Sequence, residues 1–257
     1  MNREERKKKI RDTSILVFPN LFTTGNLFCG FFSIISSLKG NFIFASYLIL
    51  IATLFDMVDG RVARLIKGVS DFGKEYDSLS DLVSFGVAPA ILVYMSYLVD
   101  IPRLGWLAAF LFVACGALRL ARFNVISLTR DPQYFVGLPI PGAAATLASC
   151  YLFLKELRIS YDGHYWLLSL IILVSLLMVS SINYKSYKKP ESTIKNKSFN
   201  NMILFLLLLV IVAINPQIVI FALCILYITQ GLLSYIYKGL VSLFIKNRKN
   251  KKNIKIA

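Results

Sequence analysis

Eight apolar runs, separated by short polar or basic stretches, leave this chain few ways to fold. They lie near residues 21–38, 42–62, 81–99, 104–123, 139–157, 164–184, 200–213 and 217–237, against a need of roughly 20 residues to cross a bilayer. Residues that are 56% hydrophobic in total point to an integral membrane protein rather than a water-soluble domain. Backbone groups inside lipid must be satisfied within their own segment, which a helix achieves. The expected fold is therefore all-α, a polytopic membrane helix bundle of eight spans. The seventh run is short, and Asn215 and Pro216 predict a tight hairpin joining it to the eighth.

The charges give the bundle an orientation. With the amino terminus inside, every Lys and Arg except Lys39, Arg103, Lys155 and Arg158 falls at the amino terminus, in an inner loop or at the carboxy terminus, as the positive-inside rule requires. Both termini are then cytoplasmic. Arg3, Arg6, Lys7, Lys8, Lys9 and Arg11 form a basic arm suited to an anionic membrane surface. The run after it holds Pro19, Asn20, Asn26 and Gly30 and no small-residue cleavage pattern, so it reads as a retained helix and not a signal peptide. The net charge of +15 is broken up by apolar runs, which argues against a nucleic-acid-binding domain. Cys29, Cys115, Cys150 and Cys224 are scattered without metal-ligand or disulfide spacing. His164, the only histidine, lies in a short polar loop and receives no role.

The chemistry concentrates in residues 56–81, DMVDGRVARLIKGVSDFGKEYDSLSD. Asp56 and Asp59 are three apart and Asp77 and Asp81 four apart, so on helices each pair points to one side. The stripe from Asp56 carries Asp59, Gly60, Ala63, Arg64 and Lys67, and the stripe from Gly73 carries Asp77, Asp81 and Ser84. Gly68 and Gly73 mark the connection between the two helices. Asp56 follows 14 residues from Phe42, about 21 Å of helix, which insets it from the cytoplasmic surface of a ~30 Å core. A carboxylate at membrane depth costs about 3 kcal/mol on insertion scales. Four of them call for a cation, and a stretch without Cys or His favours Mg²⁺ or Mn²⁺. Two such ions would suit phosphate chemistry. A DxxD or DxxxD pattern alone is equally consistent with a solvated loop.

The whole stretch resembles the signature of the CDP-alcohol phosphatidyltransferase family, matched at Asp56, Asp59, Gly60, Ala63, Arg64, Gly73, Asp77 and Asp81. That resemblance implies a six-helix catalytic core acting on CDP-diacylglycerol. It implies Asp56, Asp59, Asp77 and Asp81 as ligands of two divalent ions, with Asp81 also the base that takes the acceptor hydroxyl's proton. Asn20, Thr23, Gly60, Ala63, Arg64, Ser70 and Gly73 become the expected CDP-diacylglycerol contacts. A homodimer is implied as well.

Three further stretches, PNLFTTGN (19–26), RLARFN (119–124) and GLPIPGAA (137–144), resemble the branch of that family whose acceptor is L-serine. Taken singly, the first is also a plain helix start and the third a loop entering the fifth span. Arg119 and Arg122, three apart, are candidates for the serine carboxylate, with Asn124 adding a hydrogen bond. Both arginines equally suit interfacial anchoring. The chain divides into a basic arm (1–18), a catalytic transmembrane domain (19–190), an additional transmembrane hairpin (200–238) and a basic tail (239–257). Other acceptors, inositol phosphate or glycerol 3-phosphate, remain open. Rival classes explain less. An aspartate-rich membrane prenyltransferase carries two separated motifs rather than one, a cation transporter leaves DGxxAR unexplained, and an aspartyl protease lacks GxGD.

Overall fold

The computed structural model describes residues 3–65, 70–126, 134–158, 165–185 and 215–254. The seventh apolar run (200–213) and His164 lie outside them. Every other expected run is helical: α1 (Arg3–Leu38), α2 (Phe42–Leu65), α3 (Asp71–Leu98), α4 (Leu104–Ile126), α5 (Ile140–Glu156), α6 (Tyr165–Val179) and α7 (Pro216–Ile254). Five contain apolar stretches long enough to cross a membrane: Asn20–Leu38, Phe42–Val62, Asp71–Leu98, Leu104–Val125 and Pro216–Tyr235. The protein is a multi-pass integral membrane protein. The basic arm does not form a separate element, because its backbone from Arg3 runs into the first span as one helix.

α1 and α2 form a hairpin whose turn is set by Gly40. Its φ of 77° is open to glycine at little cost, and Asn41 N donates to Ser36 O at 2.9 Å to cap the last turn of α1. α5 is the innermost helix, with Ile140, Ala143, Ala144, Leu147 and Ala148 all buried. Its small residues let α2, α3, α6 and α7 pack close around it. The opposite faces of the outer helices carry Phe28, Phe31, Leu54, Phe110 and Leu226, all exposed. This arrangement suits lipid, which needs no polar exterior.

The third span, which holds Gly86 and Pro89, is not a regular α-helix throughout. Leu82–Val87 and Tyr94–Leu98 are π-helical, and Ala88 N bonds Val83 O five residues back. Pro89 has no N–H to offer, and a wide turn just before it rearranges the ladder there. Such turns recur near functional sites. The helix also begins earlier than the apolar run at 81–99 implied, at Asp71, so Asp77 and Asp81 share one continuous helix with the span.

One antiparallel pair departs from the all-α expectation. β1 (Tyr134–Val136) pairs with β2 (Asn183–Lys185) in the register Tyr134↔Lys185, Phe135↔Tyr184, Val136↔Asn183. Three residues are too few for a two-residue period to stand out in sequence. Gly137 follows with φ 82°, donating to Ile182 O at 2.8 Å, and Leu138 N donates to Leu177 O at 3.0 Å. These bonds tie the entrance of α5 to the exit of α6.

Candidate active site

The two aspartate pairs meet because α2 and α3 bring them to one place in the bundle. Ser70 caps α3, its Oγ accepting from Gly73 N at 3.0 Å, a typical N-terminal device. Two turns on, Asp77 faces α2, where Asp56 and Asp59 project three residues apart. One carboxylate oxygen from each of Asp56, Asp59 and Asp77 lies within 4.8 Å of the others. Asp81 stands one turn further along α3, buried and within electrostatic reach of the other three.

α1 holds the set in place. Thr23 Oγ1 donates to Asp59 Oδ2 at 3.2 Å, and Asn26 Nδ2 donates to Asp81 Oδ1 at 3.0 Å. Ser80 Oγ donates to Thr23 O at 3.0 Å and Ser84 Oγ to Asn26 O at 2.9 Å, stitching α3 to the same two positions of α1. The helices can come this close because residue 30 is glycine: a Cβ there would sit 2.5 Å from Ser84 Cα. Asn26, wholly buried, is a site residue that the sequence reading passed over. Its signal was present, since Asn20, Thr23, Asn26, Gly30, Ser33 and Ser37 recur at three- and four-residue steps as a polar and small stripe through an apolar run.

The donor set suits a divalent cation. The three carboxylates of Asp56, Asp59 and Asp77 offer oxygens within 4.8 Å of one another, and two unit charges at that limit repel by about 3 kcal/mol at an effective dielectric near 20. Asp77 Oδ1 is buried without a hydrogen-bond partner, a costly state for a polar atom. Arg119, nine-tenths buried, is within electrostatic reach of Asp56 and Asp81, yet one guanidinium does not balance four carboxylates. All-oxygen ligands match Mg²⁺ or Mn²⁺.

Several of the expected nucleotide contacts also come together. A Cβ on Gly73 would lie 3.1 Å from Ser70 Oγ and 3.3 Å from Asn20 Oδ1, so these three residues form one corner between α1 and the start of α3. Gly60 has nothing within 4 Å of where its Cβ would be, which leaves room beside Asp59. Ala63 and Arg64 continue α2 in the backbone, and their side chains lie outside the described ones. The acceptor candidates divide. Arg119 turns toward the aspartates, and Asn124 Nδ2 donates at 3.0 Å to Ser78 Oγ on α3, between Asp77 and Asp81 in sequence. Arg122 instead donates through Nη1 to Val179 O at the end of α6, at 3.3 Å.

Known proteins are similar to this chain in sequence. Residues 16–181 match the family described as CDP-alcohol phosphatidyltransferase. The chain is similar to a CDP-diacylglycerol–serine O-phosphatidyltransferase of Helicobacter pylori, 36% identical over 235 residues, covering 91% of this chain and 97% of that one. It is similar to an archaetidylserine synthase of Methanothermobacter thermautotrophicus, 46% identical over 69% of this chain and 72% of that one. A CDP-diacylglycerol–serine O-phosphatidyltransferase of Bacillus subtilis is 38% identical over 66% of this chain and 91% of its own.

Proposed function

The chain belongs to the CDP-alcohol phosphatidyltransferase family, and from that premise we propose that it transfers the phosphatidyl group of CDP-diacylglycerol to L-serine, giving phosphatidylserine and CMP. The observation that carries this reading is the convergence of Asp56, Asp59 and Asp77 within 4.8 Å beside the buried, hydrogen-bonded Asp81. The relatives' names support serine as the acceptor.

Asp56, Asp59, Asp77 and Asp81 would hold two divalent ions, Mg²⁺ or Mn²⁺, which when bound would supply positive charge for the diphosphate and the leaving CMP. Asn20, Ser70 and Gly73 form a polar corner for the nucleotide, Thr23 orients Asp59, and Gly60 and Ala63 keep the adjacent face small. Arg64 suits the diphosphate, since a guanidinium offers bidentate, charge-assisted contacts. A serine hydroxyl is a weak nucleophile and needs a base. Asp81, fixed by Asn26, takes its proton as the hydroxyl oxygen bonds to the phosphorus and the bond to CMP breaks. Arg119 receives the serine carboxylate with Asn124 nearby, while Arg122 anchors α4 to α6.

The same proposal covers the larger frame. It has eight spans with both termini and the aspartates toward the cytoplasm, in the cell membrane. Residues 19–190 form the catalytic domain and 200–238 an additional hairpin, between a basic arm (1–18) and a basic tail (239–257), and the protein works as a homodimer. The deciding experiment gives purified protein CDP-diacylglycerol with a panel of serine, inositol phosphate and glycerol 3-phosphate. CMP release should need a divalent ion and be fastest with serine. Release favoured by another acceptor would overturn the serine assignment, and no CMP release with any of them would overturn the reaction.

A further inference from the structure

α3 and α4 meet at two levels. Near the start of α3, Asn124 Nδ2 of α4 donates to Ser78 Oγ at 3.0 Å, and the same hydroxyl donates to Lys74 O one turn back at 3.1 Å. Further along, a Cβ on Gly116 of α4 would lie 4.0 Å from Gly86 Cα on α3. This second meeting is a close approach of two backbones, which small residues allow. Ile140 of α5, wholly buried, fills the notch beside it, its Cδ1 lying 2.8 Å from a Cβ on Gly116 and 3.9 Å from one on Gly86.

The two levels are in register. Ser78 to Gly86 and Gly116 to Asn124 are the same number of residues apart, about 12 Å of rise on each helix, so α3 and α4 run antiparallel and side by side over that interval. Asp81 stands between the two levels on α3, and Arg119 stands between them on α4. Both are buried. The Nε of Arg119 is buried with no hydrogen-bond partner, so no bond at that atom fixes the guanidinium, and the spacing of the helices that enclose it must. At the glycine level that spacing is set by contact of the backbones. At the other level it is set by the hydrogen bond from Asn124 to Ser78.

We propose that Ser78 and Asn124 are a positioning pair for the acceptor: their hydrogen bond clasps α4 to α3 and sets the distance between Arg119 and Asp81, across which an amino-acid acceptor places its carboxylate on the one and its hydroxyl on the other. This rests on the reading of Arg119 as the carboxylate's partner and of Asp81 as the base. Asn124 thus serves the acceptor through α3, where the sequence reading had it bonding the acceptor itself. The carboxylate and hydroxyl of one small molecule have a limited separation, so parting the helices by about 1 Å breaks one contact or the other. The nucleotide's corner at Asn20, Ser70 and Gly73 is built from α1 and the start of α3, and is spared.

The test is a double-mutant cycle on the full-length protein, with KM measured separately for serine and for CDP-diacylglycerol. Ser78→Ala removes only the hydroxyl and should raise the serine KM about fivefold, the worth of one neutral hydrogen bond, with the CDP-diacylglycerol KM as it was. Asn124→Ala should do the same, and the double variant should be no worse than either, because residues acting as a unit are not additive. An unchanged serine KM in Ser78→Ala, or equal damage to both substrates, would overturn the clasp. A serine KM raised far more by Asn124→Ala than by Ser78→Ala, with the two effects multiplying in the double variant, would put Asn124 on the substrate and overturn it as well. An Arg119→Gln variant with normal serine KM would instead overturn the acceptor reading on which the clasp depends.

Discussion

Gly30→Ala tests whether the close approach of α1 to α3 is what makes the site work. The added Cβ would sit 2.5 Å from Ser84 Cα and 2.7 Å from Ser84 Cβ, where carbon atoms settle at about 3.5–4.0 Å. Backbone cannot rotate out of the way, so the helices must part by roughly 1 Å. One turn from Gly30, Asn26 O accepts from Ser84 Oγ at 2.9 Å and Asn26 Nδ2 donates to Asp81 Oδ1 at 3.0 Å. The same displacement takes either bond to about 4 Å, outside hydrogen-bond range. Overpacking costs ~1–3 kcal/mol, partly offset by the ~1 kcal/mol that alanine gains over glycine in a helix, so rate is a sharper readout than stability. A misplacement of this size is worth about a hundredfold in turnover. The assay is CMP release from CDP-diacylglycerol in detergent micelles, beside a thermal melt. Gly30→Ala should insert, melt somewhat lower and lose about a hundredfold in kcat. Gly25→Ala on the same helix meets only the Phe55 ring, at 3.2 Å, which can swing aside, and should change little. A Gly30→Ala enzyme with parental kcat, or an equal loss in Gly25→Ala, would refute the reasoning.

Asp56→Asn or Asp77→Asn should abolish turnover while membrane insertion is kept, as read by CMP release and by protein recovered from membranes. Stripping divalent ions from the parent enzyme with a chelator should do the same, and Mg²⁺ or Mn²⁺ should restore it. Asp81→Asn should leave CDP-diacylglycerol binding nearly intact and stop transfer, so that equilibrium binding and turnover separate. Activity near parental in that variant would remove Asp81 as the base. Arg119→Gln should raise the serine KM strongly with CDP-diacylglycerol KM unchanged, whereas Arg122→Gln should cost only the exposed bond to Val179 O, lowering the melting temperature slightly.

Much of the site is local in sequence, and so was legible there. The DxxDGxxAR run and the DxxxD pair specify which faces of two successive helices carry carboxylates, because helical spacing is a property of the chain alone. The split between Arg119 and Arg122 was not legible. Both stand on one helical face by count, and only the neighbours of α4 send one guanidinium to the aspartates and the other to the end of α6. Asn26 was legible only in part: its place on the polar and small stripe of α1 is written in the run itself, but its partner Asp81 lies 55 positions away.

The apolar runs and the aspartate spacing by themselves determined that this chain is a membrane helix bundle with carboxylates on facing sides of two successive helices, since lipid demands self-satisfied helices and helical spacing sets which side chains share a face. Tertiary structure alone decided that α1 buttresses the aspartates through Thr23 and Asn26, that Pro89 is met by π-helical turns, that β1 and β2 tie α5 to α6, and that α7 docks on α5 with Phe221 against Phe153. Each of these depends on how closely two helices approach. That distance is set by which residue on the partner is a glycine or an alanine, a condition written across separate segments of the chain and visible only once they are packed.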